Sequence, residues 1–108
     1  MKIMFKAVIA ILVFMLFHSV TLAAESAQEQ DRAVLLIQAL GCRGCHTIQN
    51  TGGSLAPDLT QIGSRMTASQ IRAFLINHTT TERGFMPSYS SLSETELQLI
   101  SEYLYQLH

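Results

Sequence analysis

The chain has 108 residues, of which 48% are hydrophobic and 14% charged, and its formal net charge is −1. A chain this short buries little of its surface, so it allows one small domain with a thin core. The charge gives no support for nucleic-acid binding, which favours a strongly basic face. A domain of this size usually needs a disulfide, a metal or a bound cofactor for stability.

The N-terminal segment is typical of an export signal. Lys2 and Lys6 precede an unbroken run of eleven apolar residues, and the small and polar residues TLAAES follow. The apolar run is shorter than the roughly 20 residues that a membrane-spanning helix needs. A basic start, a short apolar centre and small residues at the end match a secretory leader. We therefore predict an exported protein, located in the bacterial periplasm.

Cleavage is expected after Ala23 or Ala24, which gives a secretory signal peptide at 1–24 and a mature domain at 25–108. The alternative is a retained membrane anchor, in which the apolar run continues past His18, although polar residues there count against it. Both lysines lie in the leader. The mature domain therefore has five arginines against eight acidic residues, a net charge of −3. This sign suits a partner with a basic patch.

Three amphipathic segments predict an all-α domain, and no strand pattern competes with them. The first begins at a capping-box pattern of Ser26 with Glu29 and ends at Gly41. Its apolar face consists of Ala33, Leu36, Ile37 and Leu40. Two long irregular stretches lie between the three helices, 47–57 before the second and 79–91 before the third.

The other two helices carry capping-box patterns of the same kind. Thr67 with Gln70 begins the second, and Ser93 with Glu96 begins the third. The second helix is expected to pack through Ile71, Phe74 and Leu75, and the third through Leu97, Ile100, Tyr103, Leu104 and Leu107. Three helices with two long loops would be under-packed in a domain of 84 residues. The loops are therefore expected to wrap around a bound group.

The hexapeptide GCRGCH at 41–46 contains both cysteines of the chain. A disulfide between Cys42 and Cys45 would close a tiny loop and add little stability. A thioredoxin-like redox pair needs a βαβ context that is missing here. A structural zinc ion needs four ligands, and this segment offers three with His46; His78 or His108 would have to supply the fourth, and no spacing favours either.

The spacing Cys-x-x-Cys-His is that of a c-type haem attachment site. Thiols at i and i+3 of a helical turn point to one side, where each can add across one haem vinyl group. His46 can then bind the iron through its imidazole. We predict one covalently attached haem c, held by Cys42 and Cys45. This group would supply the apolar core that the chain is too short to build.

Three stretches, GCRGCHTI, APDLTQIGSR and MPSYSSLSETELQLISEYL, resemble the small single-haem class I cytochromes c of bacteria. The resemblance extends from about residue 28 to the end. It implies the cytochrome c fold, with three main helices and long loops wrapped around one haem. It also implies that the terminal helices cross beside the haem edge and that a late methionine binds the iron opposite His46.

Met86 matches that methionine, because it lies in GFMPSYS between Gly84 and Pro87, before the third helix. Met66, the other methionine outside the leader, is interpreted as core filler. His78 is the rival ligand and would give two imidazoles on the iron. A thioether favours the ferrous state, so His46 with Met86 predicts a higher reduction potential than two histidines would give.

The resemblance also assigns supporting roles. The carbonyl of Pro57 would accept a hydrogen bond from the far nitrogen of His46, and Tyr103 would lie where the terminal helices cross. Ala33 departs from the glycine that the family often has at that crossing. Arg65 or Tyr89 are candidates for binding the haem propionates.

These features predict an electron-transfer protein and not an enzyme, because two protein ligands leave the iron without a vacancy for substrate. It would be a free monomer that carries one electron between redox proteins or membrane electron-transfer complexes, with no small-molecule substrate. The first alternative is a fixed cytochrome c subunit of a larger respiratory or dehydrogenase complex. A haem enzyme or gas sensor in which Met86 leaves the iron is the second, and a haem-free Cys/His module the third.

Overall fold

A computed structural model of the protein describes residues 1–77 and 86–108. Within these ranges the chain forms α1 (Lys2–Ala39), α2 (Ala68–Asn77) and α3 (Glu94–Tyr105). Two very short strands, β1 (Thr47–Ile48) and β2 (Thr51–Gly52), and two 3₁₀ turns, Cys42–Gly44 and Ile62–Ser64, lie between α1 and α2. The prediction of a mostly helical domain with three helices is confirmed. His78 and Gly84 lie outside the described residues.

Helix α1 is far longer than predicted. It runs from Lys2 to Ala39 without a break, so the expected start at Ser26 is wrong for the whole chain. The Ser26 hydroxyl donates to the carbonyl of Ala23 inside the helix, at 2.9 Å, and does not cap an N-terminus. The physical reason is that 2–39 contain no glycine or proline to interrupt the helix. By length and composition α1 could cross a membrane, a test that a signal sequence also passes.

Both later capping boxes are present. The amide of Thr67 donates to the Gln70 side chain at 2.9 Å, and the amide of Gln70 donates to the Thr67 hydroxyl at 3.3 Å. Ser93 and Glu96 make the same reciprocal pair at the start of α3. Each box satisfies two amides that the first turn of a helix cannot bond internally.

The hydrophobic core lies between the three helices, where α3 packs against both α1 and α2. The predicted face of α1 is directed inward, with Ala33 and Ile37 fully buried. On α2 the prediction holds for Ile71 and Leu75, but Phe74 is 46% exposed. The core cluster consists of Ile37, Ile48, Ile62, Ile71, Leu75, Tyr89, Leu97, Ile100, Leu104 and Leu107.

A β-hairpin occupies the loop that follows His46, where no strand was predicted. Strands β1 and β2 are antiparallel, with Thr47 opposite Gly52 and Ile48 opposite Thr51. Gln49 and Asn50 form the two-residue turn, and both have positive φ, 52° and 62°. Two residues per strand give too short an alternation for a sequence pattern to reveal. The hairpin is held by its contacts with the rest of the domain.

Candidate functional site

The two cysteines lie on a tight turn directly after α1. Gly41 adopts a left-handed conformation, with φ of +72°, and so ends the helix as predicted. The chain then makes the 3₁₀ turn Cys42–Gly44, and the amides of Cys45 and His46 both donate to the carbonyl of Cys42. This turn brings both cysteines and the histidine together within five consecutive residues.

The hairpin and the loop after it hold the backbone of this turn. The amide of Gly53 donates to the carbonyl of Arg43 at 2.9 Å, and the amide of Ala56 donates to the carbonyl of Cys45 at 3.0 Å. Gly52, with φ of +127°, passes so close to the carbonyl of His46 that a Cβ atom would collide with it. The segment Cys42–His46 is therefore fixed by backbone contacts with the hairpin as well as by its own turn.

The ring of His46 is buried, at 9% exposure, and held in one orientation. Its Nδ1 atom lies 2.6 Å from the carbonyl oxygen of Pro57, to which it donates a hydrogen bond. The Nε2 atom is then the nitrogen that can bind a metal. This is the contact that the family resemblance implied for Pro57.

The two thiols have different surroundings. Both cysteines are free, with Cys45 exposed and Cys42 partly buried. Cys42 packs against the hydrophobic core cluster. Burial raises the pKa of the Cys42 thiol, and a hydrogen bond with Tyr89 opposes this effect in part. One thiol of the pair therefore borders the core, and the other faces solvent.

Met86 and Met66 are both partly buried and both pack against the core cluster. Cys42 packs against the same cluster. His108 is exposed, and its Nδ1 atom lies 3.1 Å from the carbonyl of Tyr105, in the last turn of the chain. The rival ligand His78 lies outside the described residues.

Ala33 and Tyr103 were predicted to lie where the terminal helices cross, and Arg65 and Tyr89 to bind the haem propionates. Ala33 is 1% exposed, and Tyr103 lines the groove between α1 and α3, so both lie where the terminal helices pack. Arg65 donates to the backbone carbonyl of Asp58 at 3.0 Å. Tyr89 is buried against Cys42, a contact that sequence reasoning missed because the two residues are 47 positions apart.

These residues fit a covalently bound haem. The chemistry of the donor set agrees: two free thiols and an oriented imidazole lie on one short turn, beside an apolar cluster that includes a thioether side chain. Within 1–77 and 86–108, no group of three or more His, Cys, Asp or Glu side chains is placed to hold a metal ion.

A comparison with protein families gives one match. The family model described as cytochrome c oxidase, cbb3-type, subunit III matches residues 28–104. That range includes the Cys42–His46 turn, the hairpin, α2, all of α3 but its last residue and the part of α1 that packs in the core. No curated protein and no solved structure gives a significant match to the chain.

Proposed function

Because the chain belongs to the cytochrome c domain family described as cbb3-type cytochrome c oxidase subunit III, we propose that it is a periplasmic electron carrier with one covalently bound haem c. The observation that supports this proposal most is the bond from His46 to Pro57. It orients an imidazole on the same turn as two free thiols. When bound, the haem supplies a one-electron Fe(III)/Fe(II) couple.

Cys42 and Cys45 hold the haem in this proposal. Each thiol would add across one haem vinyl group, with its sulfur bonding to one carbon and its proton passing to the other, so the attachment would need no oxidant. His46 binds the iron through Nε2, while Pro57 keeps the ring in place. The loop before α2 and residues 86–93 would lie against the group and extend the core.

Met86 is the residue proposed to bind the iron as the second protein ligand. Its thioether would favour ferrous iron, and two protein ligands would leave no position on the iron for a substrate. Electron transfer follows from this arrangement, and catalysis does not. Rapid and complete binding of carbon monoxide to the ferrous protein at neutral pH would instead indicate an open iron and support the enzyme or sensor alternative.

The attachment is tested by the mass of the mature protein produced in an export-competent cell. We expect the polypeptide plus one haem, and loss of that mass in a variant with Cys42→Ser and Cys45→Ser. A bare polypeptide from the unchanged chain would refute the proposal.

The axial ligand is tested with a matched pair of variants. Met86→Ala should abolish the weak ferric band at long wavelength that reports sulfur–iron bonding, and it should lower the reduction potential. Met66→Ala is the control, because Met66 is also partly buried against the core, and it should leave both unchanged. If His78→Ala alone removes the second ligand, the assignment to Met86 is wrong.

The leader is proposed to be a signal peptide at 1–24, with the cytochrome domain at 25–108. The apolar first half of α1, which has no buried residue, supports this proposal. Mass spectrometry of the exported protein tests it: the N-terminus should lie at Ala24 or Glu25.

A second candidate function is a fixed subunit of a larger respiratory complex. The family description, which names an oxidase subunit, and an apolar helix long enough to act as an anchor favour it. A retained leader, with co-purification of redox partners from the membrane, would support this role over that of a free monomeric carrier.

A further inference from the structure

We propose that the hydroxyl group of Thr47 is a positioning group, which holds the carbonyl of Pro57 on the ring of His46 and so keeps Nε2 as the free nitrogen of that ring. The inference rests on the proposed function, because it concerns the residue proposed to bind the iron. Thr47 acts through the loop 53–59, which contains Pro57.

The loop 53–59 begins at Gly53, whose backbone is held on both sides. Its amide donates to the carbonyl of Arg43 at 2.9 Å, and its carbonyl accepts from the Thr47 hydroxyl at 2.9 Å. A Cβ atom on Gly53 would collide with the backbone of Gly44, so the loop and the turn Cys42–His46 lie in direct contact here. The bond from Thr47 is partly buried, and a hydrogen bond shielded from water is stronger than one in solvent.

The loop ends at Leu59, whose amide donates to the backbone carbonyl of the same Thr47 at 2.9 Å. Leu59 also packs against the hydrophobic core cluster. Thr47 is itself fixed, because it directly follows His46 and pairs with Gly52 in the hairpin. One residue therefore bonds both ends of the loop, the first through its side chain and the last through its backbone.

Pro57 lies within this loop and has no amide hydrogen of its own to donate. The amide of Ala56 donates to the carbonyl of Cys45 at 3.0 Å, and the carbonyl of Pro57 accepts from Nδ1 of His46 at 2.6 Å. Release of Gly53 from Thr47 would leave the loop held less firmly before Ala56, so the Pro57 carbonyl could separate from the ring more often. Either nitrogen of a neutral imidazole can carry the proton, and the bond that one nitrogen makes decides which. The Thr47 hydroxyl thus helps to keep the proton on Nδ1.

The test removes the hydroxyl group and keeps the shape of the side chain. Thr47→Val in the ferrous holoprotein should retain the haem mass. The Nδ1 proton of His46 should exchange with solvent about fivefold faster than in the unchanged protein, because the loss of one hydrogen bond makes local opening more frequent. Thr47→Ser keeps the donor and should restore the slow exchange. Proton NMR measures the rates, with the buried amides of α3 as the reference for global unfolding.

Thr51→Val is the matched control, because it makes the same change in the same hairpin at an exposed position of β2. We expect no acceleration for this variant. The inference is wrong if Thr47→Val leaves the exchange of the His46 proton unchanged, or if Thr51→Val accelerates it equally. Equal acceleration of the α3 amides in Thr47→Val would also overturn it, since the effect would then be a general loss of stability.

A second measurement covers the case in which Thr47→Val does not accumulate. In the ferrous unchanged protein, the hydroxyl proton of Thr47 should exchange slowly enough to give its own NMR signal, with a cross-peak to the α protons of Gly53. Absence of that signal would overturn the inference and leave the proposed function intact. Failure of the proposed function is distinguishable, because the unchanged protein would then carry no haem, and both proposals would be wrong.

Discussion

Backbone atoms, more than side chains, set the position of the turn Cys42–His46. The carbonyl of Pro57 orients the ring of His46, and Gly52 and Gly53 allow the hairpin to approach the turn within contact distance. Two features favour glycine at position 52: its φ is positive, and a Cβ atom there would collide with the carbonyl of His46. Residues without reactive side chains thus position the turn that contains the two cysteines and His46.

Gly63 makes a comparable contact with the C-terminal segment, and Gly63→Ala should destabilise the domain. The amide of Gly63 donates to the carbonyl of Leu107 at 2.8 Å, and an added Cβ atom would collide with the backbone of Tyr105. We expect a loss of about 1–3 kcal/mol in the free energy of unfolding, as for other overpacked sites. Chemical denaturation of the holoprotein measures it.

Gly44→Ala is the control for this prediction, because no atom lies within 4 Å of the Cβ position there. It should unfold at nearly the same denaturant concentration as the unchanged protein. Equal stabilities of the Gly63→Ala variant and this control would show that the C-terminal segment does not pack on Gly63.

At the scale of elements, the crossing of α1 and α3 depends on a small residue. Ala33 is fully buried there, so Ala33→Leu should force the two helices apart and cost about 1–3 kcal/mol of unfolding free energy. Ala39→Leu adds the same side chain at an exposed position of α1 and should be nearly neutral. The midpoints of thermal unfolding of the two variants are compared. Similar midpoints would contradict the close packing of α1 on α3 at Ala33.

The capping box of α3 predicts a dependence on pH. Hydrogen bonds from Ser93 lower the pKa of Glu96 below its usual 4.5. A carboxyl whose pKa is depressed on folding contributes stability above its unfolded pKa, and this stability is lost as the pH falls through the folded pKa. The unchanged protein should therefore lose part of the stability of α3 when the pH falls below about 4.5.

Glu96→Gln separates this carboxyl from the others. A glutamine at the same position still accepts from the Ser93 amide but does not titrate. The variant should match the unchanged protein at acid pH more closely than at neutral pH, in thermal unfolding followed by circular dichroism. A constant difference between the two proteins at every pH would mean that Glu96 does not titrate with folding.

At the scale of the whole molecule, the chain measures 74 × 27 × 24 Å because α1 extends well beyond the domain. A helix of 38 residues is about 57 Å long, and its first 30 residues are all exposed. The bond between Gln30 and Gln106 marks where α1 reaches the domain. The apolar half of α1 therefore buries nothing in the core of the domain.

Removal of 1–24 should accordingly leave the midpoint of thermal unfolding of the domain unchanged. The comparison is between a chain of residues 25–108 and the full chain of residues 1–108, both in the same detergent. A midpoint lowered by several degrees on removal would show that the leader supports the fold.

The sequence alone determined the features that depend on near neighbours in the chain. These are the Cys-x-x-Cys-His spacing, two of the three helix starts, the end of α1 at Gly41 and the inward faces of the helices except at Phe74. Each depends on residues within one or two turns of each other, so spacing and capping chemistry are sufficient to find it. The start of α1 was missed because the capping pattern at Ser26 follows an N-terminal segment that is itself a good helix former.

The contacts between distant residues became known from the folded structure alone. The hairpin, the packing of Gly63 against the C-terminal segment and the pairing of Tyr89 with Cys42 join parts of the chain that local patterns do not relate. Pro57 is intermediate, because family resemblance implied its contact with His46 and the fold brought the two atoms to 2.6 Å. Such contacts arise when the helices pack and close the loops between them, and their geometry is a property of the packed whole.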